Sequence, residues 1–254
     1  MKVYFIGAGP GDPELITVKG KKIIEMSGYC IYAGSLVNPD ILKYCSKDTR
    51  IFDSASMALD EIINIIEEAK NVNKDVARVH TGDPSIYGAI QEQMSELDKR
   101  GIDYEVIPGV SSFLAAASTL KQELTLPGVS QTVIITRIDG KTPVPETERL
   151  EVLAKSKATL CIFLSIKEIN KVVNILKPDY GINCPVAIVY KASWKDEKVI
   201  ISTLDAVVDE IIRSDIKKTA IIIVGDVLSK NFKYSKLYDK HFNHSYRHKS
   251  HNIL

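Results

Sequence analysis

The stretch "YFIGAGPGDPELIT", residues 4–17, runs a short apolar segment into a loop with Gly7, Gly9 and Gly11. A strand, a glycine loop and a helix-forming stretch in that order can bring backbone N–H groups up to a phosphate. The dinucleotide fingerprint requires more than this loop has. The third glycine comes one residue early, and Pro10 and Pro13 each remove a backbone donor. The next apolar run ends "YAGS", with no acidic residue at its tip to take a ribose. No G-K-[ST] follows, so a Walker loop is excluded as well. Two readings of the loop remain: a tight turn alone, or a backbone that a ligand approaches closely.

Other loops add weight to the second reading. "HTGDPSIYG" (80–88) places Gly82, Asp83 and Pro84 just past an apolar run. "PGVSS" (108–112), "FLS" (163–165) and "YKAS" (190–193) do the same with small or polar residues. Open α/β sheets bind ligands beyond the carboxyl ends of their strands. Taken with the opening loop, these clusters predict a small-molecule cleft between two domains.

The elements that must position them alternate in the first half. Strands are expected at "KVYFI", "YCIYAG", "TRIFD", "DVARVH" and "DYEVIPG". Helices are expected at "ELITVKGKKIIEMS", "SMALDEIINIIEEAKN", "SIYGAIQEQMSELDKRG" and "SSFLAAASTL", with a short one at "NPDILKYC" capped by Asn38. That alternation predicts a mainly parallel sheet with helices on both faces. Pro127 and Gly128 break the pattern. Later strands at "QTVIITR", "ATLCIFL", "CPVAIVYKA", "EKVIIST" and "TAIIIVGDV" have fewer helices between them, which predicts a mixed sheet. The chain therefore reads as two α/β domains, 1–120 and 129–232, followed by a tail at 233–254.

Charge and composition narrow the function classes. The net charge is +1, but from Lys230 onward the chain has six Lys/Arg and one Asp, so the body before it carries −4. A body of that sign is a poor nucleic-acid binder. The tail also holds His241, His244, His248 and His251, irregularly spaced among basic residues. That pattern reads as a solvated terminus rather than a metal tract. No apolar run reaches the ~18–20 residues of a membrane span. The start is too short for a signal peptide, so a cytoplasmic protein is expected. Cys30, Cys45, Cys161 and Cys184 form no C-x-x-C pair and read as reduced thiols, with no metal site.

With these residues in view, the chain resembles the tetrapyrrole methylases, which use S-adenosylmethionine. "IGAGPGDPELITVKG" (6–20) is similar to that family's first signature, and "VARVHTGDPSIYG" (76–88) with "VIPG" (106–109) to its second. The likeness extends over about residues 1–230. "YAGSLVNPDIL" (32–42), "ITRIDGKTPVPETERL" (135–150) and "VYKASWKDEKVI" (189–200) resemble the branch that methylates carbon 11 of the precorrin-4 macrocycle, with or without cobalt, in cobalamin synthesis. Methylation of another ring carbon, or of uroporphyrinogen III, is the alternative.

The resemblance implies roles position by position. Pro10, Thr81, Gly82, Asp83, Ile86, Tyr87, Ser111 and Ser112 are expected around S-adenosylmethionine, and Leu164, Ala192, Thr219 and Ala220 around its adenine. Gly9, Gly11 and Asp12 are expected to face the tetrapyrrole. Ser35, Asp53, Arg137, Lys141 and Lys191 are candidates for its ring nitrogens and carboxylates. A homodimer is implied as well. Methyl transfer from a sulfonium is a displacement in which positioning is the main protein contribution, so no indispensable base is expected. Asp83 is the runner-up for that role, and His80 reads as a packed strand-end histidine.

Overall fold

The structure is a computed structural model that describes residues 1–140, 142–229, 232–239, 242 and 245. Lys141 and the tail histidines His241, His244, His248 and His251 lie outside the described residues.

The first sheet has five parallel strands: β1 (Val3–Gly7), β2 (Tyr29–Tyr32), β3 (Arg50–Asp53), β4 (Val76–His80) and β5 (Tyr104–Ile107). Their order is β3-β2-β4-β1-β5, which seats β1 between β4 and β5. Side chains alternate between the two faces, as the pleat requires. Val3, Phe5 and Val76 pack with α2 (Leu59–Asn71) and with Leu97 of α3 (Gln91–Lys99) on one face. Ile6, Ala77 and Val79 pack with Ile23 and Ile24 of α1 (Val18–Met26) on the other. The sequence offered apolar residues to both faces, and a parallel sheet covered by helices buries both.

The second sheet holds β6 (Val133–Thr136), β7 (Thr159–Ile162), β8 (Pro185–Tyr190), β9 (Lys198–Thr203) and β10 (Ala220–Val224), in the order β6-β7-β10-β8-β9. It is mixed: β6 runs parallel to β7, while β10 runs antiparallel to it. The remaining helices are α4 (Ser112–Leu120), α5 (Leu150–Leu153), α6 (Ile169–Tyr180) and α7 (Val207–Ser214).

The chain divides into two compact units. The first is Met1–Leu120 together with Val189–Val199 and Lys218–Ile221. The second is Lys121–Ile188, Ile200–Lys217 and the described residues from Ile222 onward.

Two expected helices are shorter than the sequence suggests. The stretch from Glu14 splits into a 3-10 turn, Pro13–Leu15, and α1, because Thr17 is extended and its Oγ1 accepts from Gly20 N to cap α1. The helix expected from Ser85 begins only at Gln91. Tyr87 and Ala89 hold φ of 55° and 49°, which no right-handed helix contains.

Candidate functional site

The loops after β1, β4 and β5 leave neighbouring strands, and their backbones touch. Gly9 and Gly82 exchange hydrogen bonds, with Gly82 N donating to Gly9 O at 2.7 Å and Gly9 N to Gly82 O at 3.3 Å. A Cβ on Gly109 would stand 2.2 Å from the Gly82 carbonyl oxygen and 2.7 Å from Gly7 Cα. A Cβ on Gly7 would likewise fall 2.6 Å from Gly109 Cα, so glycine at both 7 and 109 lets these backbones meet so closely.

Asp83 locks that junction. Its Oδ1 accepts from Ser85 N at 2.8 Å and its Oδ2 from Gly109 N at 2.9 Å. Both oxygens therefore bind backbone amides, one within its own turn and one in the loop after β5. Ser111, buried beside Gly82, accepts at its carbonyl from Leu114 N and Ala115 N, and so starts α4, whose first residue is Ser112. Thr81, Ile86 and Tyr87 complete the β4 loop, where Ile86 N donates to Asp83 O at 3.2 Å.

The turn after β8 reaches the glycine loop. Trp194 Nε1 donates to Pro10 O at 2.9 Å, and a Cβ on Gly11 would fall 2.0 Å from Trp194 Cδ1. Asp12 N donates to Ser193 Oγ at 3.0 Å, and Asn38 Nδ2 to Gly11 O at 2.8 Å. Ala192 is buried in the same turn, and Lys191 N donates to Thr219 O at 2.8 Å just before Ala220 opens β10. The first unit thus gathers eleven of the twelve residues expected around the methyl donor. The twelfth, Leu164, falls in the second unit after β7, 70% exposed and with φ 55°.

Left-handed backbone occurs at several of the expected site residues and their neighbours. Tyr87, Leu164, Lys191, Ser193 and Thr219 all have φ between 47° and 67°. A bulky residue held there costs on the order of 1–3 kcal/mol, and such strain gathers where a backbone must present particular groups.

The expected substrate residues are placed as follows. Asp53 Oδ1 accepts from Gly34 N at 3.1 Å and Ala55 N at 2.9 Å, which ties the "YAGS" loop of exposed Ser35 to the end of β3. The Tyr32 hydroxyl is pushed above its ordinary pKa by burial first and then by the Asp53 carboxylate. Lys191 Nζ pairs with Asp196 at 2.6 Å and lies 5.1 Å from the Trp194 ring centre, a cation–π position. Arg137, in the second unit, donates to three carbonyls of its own loop, those of Ile138, Thr142 and Pro143. Asp12 Oδ1 accepts from Glu14 N at 2.9 Å.

Two buried polar groups lie on the α2/α3 face of β4. His80 is buried with Nε2 unpartnered, and burial, followed by the nearby Arg78 charge, lowers its pKa to about 3. It is a neutral, packed histidine against Phe5. Arg78 donates to Gln93 Oε1, Ser54 Oγ and Ile31 O, and burial lowers its pKa to about 10. Among the described residues no group of three His, Cys, Asp or Glu is arranged to hold a metal ion. The four cysteines are free thiols.

Sequence reasoning did not find the contacts made by Trp194, Ser193 and Asn38. Asn38 was legible only as a cap, a role it does fill by accepting from Asp40 N. The signal available was weak: the chain's sole tryptophan follows a run of small residues, and a Gly-Pro-Gly loop offers bare backbone for it to cover.

Known proteins share this architecture. Residues 2–208 match the family described as Tetrapyrrole (Corrin/Porphyrin) Methylases. The cobalt-precorrin-4 C(11)-methyltransferase of Methanocaldococcus jannaschii is 58% identical over 98% of this chain and 97% of its own. The precorrin-4 C(11)-methyltransferase of a Sinorhizobium species is 45% identical over 97% of this chain and 98% of its own. The X-ray structure of the cobalamin biosynthetic enzyme cobalt precorrin-4 methyltransferase, CbiF, superimposes with a TM-score of 0.88 at 44% identity, covering 90% of this chain and 96% of that one. Matched by the family over residues 2–208 and 58% identical to a relative over 98% of its length, this chain belongs to the tetrapyrrole (corrin/porphyrin) methylases.

Proposed function

We propose that this chain methylates carbon 11 of precorrin-4, in its cobalt form, with S-adenosylmethionine as the donor, as a step of cobalamin biosynthesis. The 58% identity to the M. jannaschii enzyme over nearly the whole chain carries this reading and favours the cobalt form. Other tetrapyrrole carbons are the less favoured alternative.

The residues of the site fit the donor. They are small, neutral or backbone groups: Pro10, Gly82, Ser111, Ala192 and Thr219. Lys191, next to Ala192 in the chain, is paired with Asp196, so its charge is countered beside a sulfonium cation. When bound, S-adenosylmethionine supplies an electrophilic methyl group. The chain's own residues orient it. Thr81–Tyr87 and Ser111–Ser112 present hydroxyls and amides toward its ribose and methionine end. Ala192, Thr219 and Ala220 take the adenine; Leu164, in the second unit, is assigned to it by the family resemblance alone. Gly9, Gly11 and Asp12 face the macrocycle, and Ser35, Asp53, Arg137, Lys141 and Lys191 are the polar groups for its rim.

Overall, the ring carbon gains the methyl as the sulfur–methyl bond breaks, and the ring system loses a proton. Alignment of carbon, methyl and sulfur is the protein's main contribution, and it can lower a barrier by roughly 7–11 kcal/mol. No side chain is needed as a base. Asp83 is poorly suited to that role, since both its oxygens already accept backbone N–H groups. A homodimer is part of this proposal and rests on the family resemblance; a cytoplasmic location, the expectation from the sequence, is proposed with it and is compatible with a biosynthetic enzyme. Among the described residues no helix is long and apolar enough to cross a membrane.

Calorimetric titration with S-adenosylhomocysteine, with NADH as control, tests the donor. Micromolar binding of the first and none of the second is expected. Mass spectrometry then tests the acceptor: one added methyl on cobalt-precorrin-4 is expected, while turnover of metal-free precorrin-4 alone overturns the cobalt assignment.

A further inference from the structure

Three consecutive residues of the glycine loop are each held by a side chain from elsewhere in the first unit. Pro10 O accepts from Trp194 Nε1, Gly11 O from Asn38 Nδ2, and Asp12 N donates to Ser193 Oγ. Pro10 fixes its own φ, but Gly9 and Gly11 carry no Cβ and leave the path of the segment on either side of it open. Its shape is therefore imposed from outside. Two of the three holding groups, Ser193 and Trp194, directly follow Ala192.

The holding turn is itself fixed. Ser193 sits at φ 67°, with its N–H donating to Glu197 Oε2 at 2.6 Å. Thr119 Oγ1 donates to the same oxygen at 3.0 Å from the end of α4. Trp194 N donates to Lys191 O at 2.9 Å, and Glu197 N to Trp194 O at 3.1 Å. The Lys191 ammonium, anchored by Asp196, lies against the indole. The indole face meets bare backbone at Gly11, where no side chain would fit.

We propose that Trp194, supported by Ser193 and Asn38, is a positioning residue of the methyl-donor site: it couples the turn carrying Ala192 to the loop carrying Pro10, so that both sides of the donor site are set together. This rests on the donor site proposed above. The indole N–H and ring do different things. The N–H fixes the direction of the Pro10 carbonyl, and the ring sets the height of the loop over Gly11. Trp194 touches neither ligand in this scheme; it acts through Pro10 and Gly11.

Trp194 is the chain's sole tryptophan, so its emission reports on the clamp directly. S-adenosylhomocysteine is titrated into the full-length protein while intrinsic fluorescence and heat are followed. A saturable change in emission with the calorimetric midpoint is expected. Trp194→Phe retains an aromatic ring over Gly11 and loses the one donor. It is expected to weaken S-adenosylhomocysteine binding about 5–10-fold, the equivalent of one neutral hydrogen bond, with a thermal midpoint near that of the parent. Gly11→Ala, which drives the ring off the loop, is expected to weaken binding at least as much, and to shift the emission of the unliganded protein. Full affinity in both variants, with no ligand-dependent emission in the parent, overturns the clamp and leaves the donor site standing. A parent protein that binds no S-adenosylhomocysteine overturns the donor site, and the clamp with it. A lowered thermal midpoint with unchanged affinity in both variants assigns Trp194 to packing alone, which also refutes the proposal.

Discussion

Replacing Asp83 separates a loop-fixing carboxylate from a catalytic one. Its two oxygens accept from Ser85 N at 2.8 Å and Gly109 N at 2.9 Å. A hydrogen bond to a charged group contributes about 1.5–3 kcal/mol, and the Ser85 bond, being exposed, belongs at the low end. Asp83→Ala is therefore expected to cost about 3 kcal/mol, which lowers the thermal midpoint of a chain this size by roughly 6–12 °C. Asp83→Asn retains one carbonyl acceptor but turns an amide N–H₂ toward the other backbone donor, so about half of that loss is expected. Both variants loosen the loop from Thr81 to Tyr87, so the dissociation constant for S-adenosylhomocysteine is expected to rise in the same order, Ala above Asn. Differential scanning calorimetry and isothermal titration read the two quantities on the same preparations. A general base predicts a different pattern: unchanged midpoint and dissociation constant, with methyl transfer abolished. That result in Asp83→Ala would refute the loop-fixing assignment.

The glycine junction and the buried histidine give two further expectations. Gly109→Ala places a Cβ 2.2 Å from a backbone oxygen that has no room to retreat, so destabilisation at or above the top of the usual overpacking range of about 1–3 kcal/mol is expected. Gly140→Ala, with nothing within 4 Å and no positive φ, is expected to leave stability unchanged or slightly raised; equal midpoints for the two variants would contradict the close approach. His80 is held neutral in the fold with its pKa lowered to about 3, whereas the unfolded chain takes up that proton near pH 6.5. Its contribution is complete above pH 6.5 and is lost as the pH falls from there toward 3, with a slope of at most about 1.4 kcal/mol per pH unit. Urea unfolding at pH 7, 6, 5 and 4 should show a shallower decline for His80→Gln than for the parent, and parallel declines would place the buried proton site elsewhere.

Much of the molecule was legible in one dimension because its signals are local. Alternating apolar runs located the ten strands found among the described residues, and Asn38 with Pro39 marked a helical turn that the structure contains. The failure of the dinucleotide fingerprint was also local, since an early third glycine and two prolines cannot be repaired by distant residues. Helix starts were less legible. The stretch 85–90 reads as the start of the helix that follows, yet Tyr87 and Ala89 are turned left-handed, a state no propensity favours and only surrounding structure enforces.

Fold class and family were legible before any coordinates, because glycine spacing, apolar period and signature residues are properties of neighbouring positions. Tertiary structure alone decided what the loops do to one another. Gly7, Gly82 and Gly109 lie far apart in the chain and become backbone neighbours only because β1 is seated between β4 and β5. Asp83 reads in sequence as a donor-binding residue and only secondarily as a base; in space it braces two loops, because Gly109 N reaches its second oxygen. Lys191 and Arg137 read in sequence as candidates for the macrocycle's carboxylates, and the structure shows what holds each in place, Asp196 for the one and loop carbonyls for the other. Trp194 meets Pro10 across 184 residues of chain. A contact of that span is set by where strands end in the sheets, which no local pattern of residues encodes.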